Sequence, residues 1–187
     1  MGQPMSDFPI IHTERLTLRK PTYDDVAPLL ELTQDEEVML YYGMEPFKEE
    51  KQSREEIDWF LKIWKEGTGT RWVITLKGED DFIGEIGFFE YEKKHRRAEI
   101  GYKLSRAYWR KGYMTEALVG MLDYMYENID LNRVQALVDP RNDGSLRLIE
   151  KQGFQRDGLL RSYEYERGAY VDLYMLSHLR EDWEARD

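Results

Sequence analysis

Cysteine is absent from the 187-residue sequence, which excludes disulfide cross-links, thiolate metal sites and cysteine nucleophiles. Histidine is scarce: His12, His95 and His178 are scattered without metal-ligand spacing, so no metal cofactor is expected. No apolar run approaches the roughly 18–20 residues of a membrane span, and the N-terminus lacks the apolar core of a secretory signal. The expectation is a soluble, cytoplasmic protein with no membrane partner. There is no GxGxxG turn, no P-loop and no GxSxG nucleophile elbow. Positive charge is also in deficit, with 27 Lys and Arg against 37 Asp and Glu for a net −10. That balance argues against direct nucleic-acid binding, which depends on clustered positive charge.

What is present is a folding composition, 41% hydrophobic and 13% aromatic, in a chain long enough for one core-forming domain. Residues 1–9 are polar and contain Pro4 and Pro9, and read as a flexible N-terminal arm before a single domain over 10–187. Leu16 and Leu18 alternate with Thr17 and Arg19 in a first strand that Pro21 stops. Thr22 with Asp25 resembles a capping box, and a second helical stretch carries Ile57, Phe60, Leu61 and Trp64 on one face. The period then changes to two, with strands near 72–76, 82–91 and 98–104. A helix over about 112–127, with Met114, Ala117, Leu118, Met121, Leu122 and Met125 on one stripe, comes next. A strand at 134–138, a short helix ending near Gly153 and strands at about 154–161 and 169–177 complete an α/β pattern of about seven strands.

Charge is unevenly spread. Residues 24–58 hold twelve acidic side chains against three basic ones, and residues 91–112 hold eight basic against two acidic. Opposed patches of this kind suit an enzyme holding an anionic cofactor and a cationic substrate, and equally suit two solvated faces.

The most informative segment is Tyr108-Trp109-Arg110-Lys111-Gly112-Tyr113-Met114-Thr115-Glu116-Ala117-Leu118, at a strand-to-helix junction. A glycine there lets successive backbone N–H groups point outward at a helix N-terminus, beside Arg110 and Lys111. This is an anion site suited to a pyrophosphate. Taken alone, Gly112 is read as well as a simple turn with solvated neighbours.

The segment follows Ala98-Glu99-Ile100-Gly101-Tyr102 and precedes Leu131-Asn132-Arg133-Val134, Asn142-Asp143-Gly144-Ser145 and Gly153-Phe154. In this order the motifs resemble the GNAT superfamily of acetyl-CoA-dependent N-acetyltransferases, and within it the RimJ/RimL-type enzymes that acetylate ribosomal-protein N-termini. The resemblance implies a single mixed, mostly antiparallel sheet, splayed in the middle and flanked by about four helices. It implies acetyl-CoA as cosubstrate, with the backbone of Ile100, Gly101, Tyr102, Lys103 and Leu104 pairing with its pantetheine arm. The N–H groups of Arg110, Lys111, Gly112, Tyr113, Met114 and Thr115 would cradle the pyrophosphate. Trp109 and Met114 depart from the family's phosphate motif, and Met114 stands to narrow the approach. Asn142 would hydrogen-bond the pantetheine, with helix capping left to Asp143 or Ser145, although capping by Asn142 suits it equally.

Transfer of an acetyl group from a thioester to an amine needs a neutral amine, a donor to the oxyanion and a proton for the leaving thiolate. Ser145 and Glu164 match the Ser-Glu pair implicated in the RimL branch, making Glu164 the first base and Ser145 the acid and a cofactor contact. Glu99 is the second base. The tyrosine that many members use as acid is replaced by Ile149. An α-amine, with a reference pKa near ~8, asks less of a base than a lysine or polyamine amine near ~10.4.

The acidic 24–58 segment corresponds to the family's acceptor wall and suits a cationic amine, so a protein N-terminus is the first acceptor. A small-molecule acceptor such as a polyamine, an aminoglycoside or an amino-acid-like amine is the alternative, since His95, Arg96 and Arg97 also occur in the polyamine branch. A non-catalytic acetyl-CoA-binding module is the third reading. Assembly as a homodimer is compatible with each.

Overall fold

Alternation and capping account for the elements that lead to the site. In the computed structural model, which describes residues 7–186, β1 (Ile11–His12) pairs with β2 (Leu16–Arg19), whose Leu16 and Leu18 are fully buried. At Thr22 the backbone N–H donates to Asp25 Oδ2 at 2.8 Å, opening a 3-10 turn that runs into α1 (Val26–Gln34). After α2 (Glu36–Met39), α3 (Glu50–Glu66) buries Ile57, Phe60 and Ile63 at helical spacing. It stops at Gly67, whose φ of 71° is the left-handed turn glycine tolerates.

The meander β3 (Thr70–Leu76), β4 (Gly84–Glu92) and β5 (Arg97–Leu104) follows, then α4 (Tyr113–Asn128), β6 (Arg133–Val138) and α5 (Asp143–Lys151). The hairpin β7 (Gln155–Glu166) and β8 (Ala169–Leu179) and the short α6 (Arg180–Glu184) end the fold. The sheet order is β1-β2-β3-β4-β5-β6-β8-β7, antiparallel throughout except for the parallel pair β5–β6. One sheet face packs on α4 and α5 through Ile100, Leu118, Met121, Val134, Leu146 and Ile149. On the other side α1 and α3 pack together through Val26, Leu29, Leu32, Ile57 and Phe60, next to β3.

Among the described residues, eight strands and six helices stand where the sequence suggested about seven and about four. The additions are short and carry no periodic signal. β1 has two residues, and the four-residue α2 is set by its cap, Asp35, which accepts from Glu37 N at 3.0 Å. In α6, Asp182 Oδ2 accepts from Leu179 N at 2.9 Å. The expected arm over 1–9 lies mostly outside the described residues, but its last part is docked. Phe8 packs edge-on against Trp64 with ring centroids 5.1 Å apart, and Trp72 Nε1 donates to the Pro9 carbonyl at 2.8 Å.

Candidate active site

Parallel pairing between β5 and β6 covers three steps, Arg97 with Arg133, Ala98 with Val134 and Glu99 with Gln135, and then stops. Beyond it the strands part, while residues 99–104 of β5 stay paired to β4 on the other side. The predicted stretch Ile100–Leu104 is therefore a sheet edge in the middle of a sheet, able to accept an added strand. Its last carbonyl is used: Trp109 Nε1 donates to Leu104 O at 2.7 Å. Ile100, Tyr102 and Leu104 belong to the face packed on α4. Glu99, Gly101 and Lys103 alternate onto the opposite face.

Beside this edge the chain turns through Arg110 (φ 59°) and Gly112 (φ 79°) into the 16-residue α4. The first helical bond is from Glu116 N to Gly112 O, at 3.0 Å. Among the described residues, the six successive N–H groups from Arg110 to Thr115 donate to no backbone or side-chain acceptor. Alternating left-handed residues followed by a helix N-terminus form a concavity of donors backed by the helix dipole. Its shape and charge fit a diphosphate. Arg15, which no local pattern singles out, joins it. Its Nε pairs with Glu116 at 2.9 Å, its Nη1 donates to Lys111 O at 2.9 Å, and its guanidinium lies 4.5 Å from the Tyr113 ring centroid. Met114 does not narrow this approach, because its side chain turns into the core with 9% exposure.

Across the opening, Asn142 Oδ1 accepts from Ser145 N at 3.1 Å, so Asn142 itself caps α5, not Asp143 or Ser145. This occupies the carbonyl end of its side chain and leaves the amide hydrogens for another partner. Ser145 Oγ lies 2.5 Å from Tyr102 OH. Burial pushes the Tyr102 phenol up to about 12, against the lowering effect of Ser145. Ile149 is fully buried in the core.

Carboxyl groups gather near the point where β5 and β6 part. Glu99 is raised to about 7, first by burial and then by the fields of Glu90 and Glu164, with a hydrogen bond from Gln135 opposing. Glu166, absent from the sequence expectation, is also raised to about 7 by burial and by a hydrogen bond and repulsion from Glu164. Gly43, after α2, lies against this pair: a Cβ there would stand 2.8 Å from Glu166 Oε1 and 3.5 Å from Glu164 Oε2. Arg167, at the hairpin tip, donates to Met39 O at 2.6 Å and so holds the hairpin to α2. The fold thus brings Glu99, Glu164 and Glu166 into one electrostatic group, while the hydroxyl of Ser145 bonds to Tyr102 and not to Glu164.

Under Gly101 lies a buried charged cluster that spacing alone does not reveal. Arg71 Nε is 2.9 Å from Glu85 Oε2, and its Nη atoms donate to Gly101 O (3.0 Å) and Tyr42 OH (3.1 Å). Lys103 Nζ is 3.5 Å from Glu85 Oε1 and 4.3 Å from the Tyr42 ring centroid. Burial works against both cations, yet Glu85 and Tyr42 hold Arg71 and Lys103 above their ordinary values. Glu56 is raised by burial, against the pull of Lys103 and Arg71. Four of the twelve acidic residues in the 24–58 segment are tied up elsewhere: Asp25 pairs with Arg19, Asp35 and Glu37 pair with Arg106, and Asp58 accepts from Tyr23 OH.

Residues 15–155 match the family described as acetyltransferase (GNAT) domain. A Bacillus licheniformis protein named uncharacterized N-acetyltransferase p20 is 39% identical over 173 residues, covering 92% of this chain and 97% of that one. A Salmonella typhimurium acetyltransferase described as modifying the N-terminal serine of ribosomal protein L7/L12 superposes with a TM-score of 0.83 at 20% identity, covering 91% and 99% of the two chains. The spermidine N-acetyltransferase of Vibrio cholerae, solved with CoA and spermine, gives 0.79 at 23% identity, covering 90% and 98%.

Proposed function

The chain belongs to the GNAT acetyltransferase family, and on that premise we propose that it moves an acetyl group from acetyl-CoA to the N-terminal α-amine of a protein, ribosomal proteins included, by direct attack in a ternary complex. The observation that carries the reading is the free edge of β5 beside six unpartnered N–H groups. The edge of Ile100–Lys103 suits the amides of pantetheine, and the concavity over Arg110–Thr115, with Arg15, Arg110 and Lys111 around it, suits the diphosphate. The Asn142 amide hydrogens are available to a pantetheine carbonyl.

Glu164 takes the proton of the attacking amine, with Glu166 sharing its charge, and Glu99 is the second base. Glu99 and Glu166, each raised to about 7, are matched to an amine of reference pKa near ~8. Backbone N–H groups on the β5 edge serve the carbonyl oxygen as it becomes an oxyanion, and Ser145 faces the leaving sulfur. The grouping of three carboxyls also suits a polyamine, whose several cations need several partners, and this keeps a small-molecule acceptor as the second reading.

The test is acetyl-CoA-dependent thiol release by purified protein with peptides beginning Ala, Ser or Thr and with spermidine, beside calorimetric titration of acetyl-CoA. Saturable turnover with a peptide is expected. Turnover with spermidine alone moves the assignment to a polyamine acetyltransferase, and binding without turnover to a non-catalytic acetyl-CoA module.

A further inference from the structure

The hydrogen bond between Tyr102 OH and Ser145 Oγ, 2.5 Å long, joins the two sides of the strand opening: Tyr102 lies on the free edge of β5, and Ser145 in the first turn of the helix that follows β6. It lies beyond the point where the pairing of β5 and β6 stops. Resting on the acetyl-CoA reading above, we infer that Tyr102 is a positioning residue whose phenol donates to Ser145 Oγ and so turns the single hydroxyl hydrogen of Ser145 toward the departing sulfur.

A serine hydroxyl has one hydrogen and two acceptor sites. If that hydrogen were spent on Tyr102, nothing would be left for the sulfur. A phenol is the stronger donor of the two, and Tyr102, pushed up to about 12 by burial, keeps its proton at neutral pH. The same shift bars a proton relay, because a thiolate is too weak a base to deprotonate such a phenol. The pair therefore stabilises the leaving group by hydrogen bonding. As the C–N bond forms and the C–S bond breaks, the C–S electron pair moves onto sulfur. The thiolate is held by Ser145 O–H at the N-terminus of α5, where the helix dipole favours negative charge. The amine proton goes to the carboxyl group, and the thiolate takes its proton from water. This assigns leaving-group work to β5 and the start of α5, in a chain whose α5 offers only the buried Ile149 one turn further on.

The experiment follows the ionisation of CoA bound to the protein by its thiolate ultraviolet absorbance, in wild type, Tyr102→Phe and Ser145→Ala, with calorimetry to establish that CoA is bound. Wild type is expected to lower the thiol pKa of bound CoA below that of free CoA, Ser145→Ala to abolish the shift, and Tyr102→Phe to lose most of it. Incorporation of 3-fluorotyrosine at 102, which keeps the shape and makes the phenol more acidic, is expected to deepen the shift. It also serves if the Phe variant does not fold. With an accepted amine, Tyr102→Phe is expected to lower kcat about tenfold or more with KM for acetyl-CoA unchanged. An unaltered thiol titration in Tyr102→Phe or fluorotyrosine protein that binds CoA overturns the inference and leaves the cofactor reading standing. Failure of wild type to bind CoA overturns both.

Discussion

Arg71 donates from Nη1 to the carbonyl of Gly101 at 3.0 Å, reaching across the sheet from β3 to the free edge of β5. It passes directly over β4, where a Cβ on Gly87 would stand 2.5 Å from Arg71 Cδ. Two glycines on adjacent strands, opposite one another in the register, thus make the channel for one arginine. Glu85 supplies the charge that lets the guanidinium stay there, fully buried.

Arg71→Met is therefore expected to leave Glu85 with Lys103 alone, 3.5 Å away, and to cost about 3 kcal/mol or more in urea unfolding. Arg71→Lys keeps the charge but cannot bridge Glu85, Tyr42 and Gly101 at once. The expected outcome is a smaller loss of stability with a raised KM for acetyl-CoA. Gly101→Ala should act similarly, since its Cβ would meet Arg71 Nη1 at 2.8 Å and Tyr42 OH at 3.4 Å. Equal acetyl-CoA affinity in all three variants would show that the cluster supports the fold alone.

A side chain at position 112 tests the anion site. Gly112 has φ 79°, and a Cβ there would stand 3.2 Å from Arg15 Nη2. Gly112→Val adds a β-branched residue where only glycine is comfortable, at a cost of about 1–3 kcal/mol, and turns the donor run out of alignment. Calorimetry is expected to show acetyl-CoA affinity falling at least tenfold. Arg15→Ala, which removes charge and the tether to Lys111 without altering φ, should weaken binding less and reduce its salt dependence.

The pH dependence follows from Glu99. Its carboxyl is raised from 4.5 to about 7, so between these values the folded chain holds a proton that the unfolded chain has released. The stabilising proton is fully present below about 4.5 and is lost as pH rises through about 7. Glu99→Gln escapes this loss, and its thermal midpoint is expected to gain on wild type steadily across that window. Activity has the opposite slope: kcat/KM should rise with pH as Glu99 ionises and the α-amine loses its proton, levelling off only above ~8. A midpoint difference independent of pH would show that Glu99 is not buried as described.

The framework of the site was legible because its signals are local. Leu16 and Leu18, the methionine stripe of α4 and Gly112 at the helix junction each declare themselves within a few residues. Contacts between distant segments carry no such local signal. Arg71, Tyr42 and Gly101 come respectively from β3, the bend after α2, and β5, and Arg15 reaches Glu116 across 101 positions. Glu166 carries no local signal, because its raised pKa comes from burial and from Glu164 beside it in the folded hairpin. The partners of the acidic run at 24–58 are hidden for the same reason, since the ion pairs of Asp25 to Arg19 and of Asp35 and Glu37 to Arg106 form only in the fold.

Asn142 separates capping from cofactor contact. Its Oδ1 accepts from Ser145 N at 3.1 Å, a function that an aspartate performs as well, whereas its amide hydrogens have no counterpart in aspartate. Asn142→Ala loses both and is expected to cost about 1 kcal/mol of stability, read as a lowered unfolding midpoint. Asn142→Asp keeps the cap, and its charge at a helix N-terminus is favourable, so its midpoint should match wild type. If the amide holds a pantetheine carbonyl, acetyl-CoA affinity in Asn142→Asp falls as far as in Asn142→Ala despite the intact helix, because a carboxylate facing a carbonyl offers no donor. If the residue only caps, Asn142→Asp binds acetyl-CoA like wild type, and the cap of α5 accounts for Asn142 entirely.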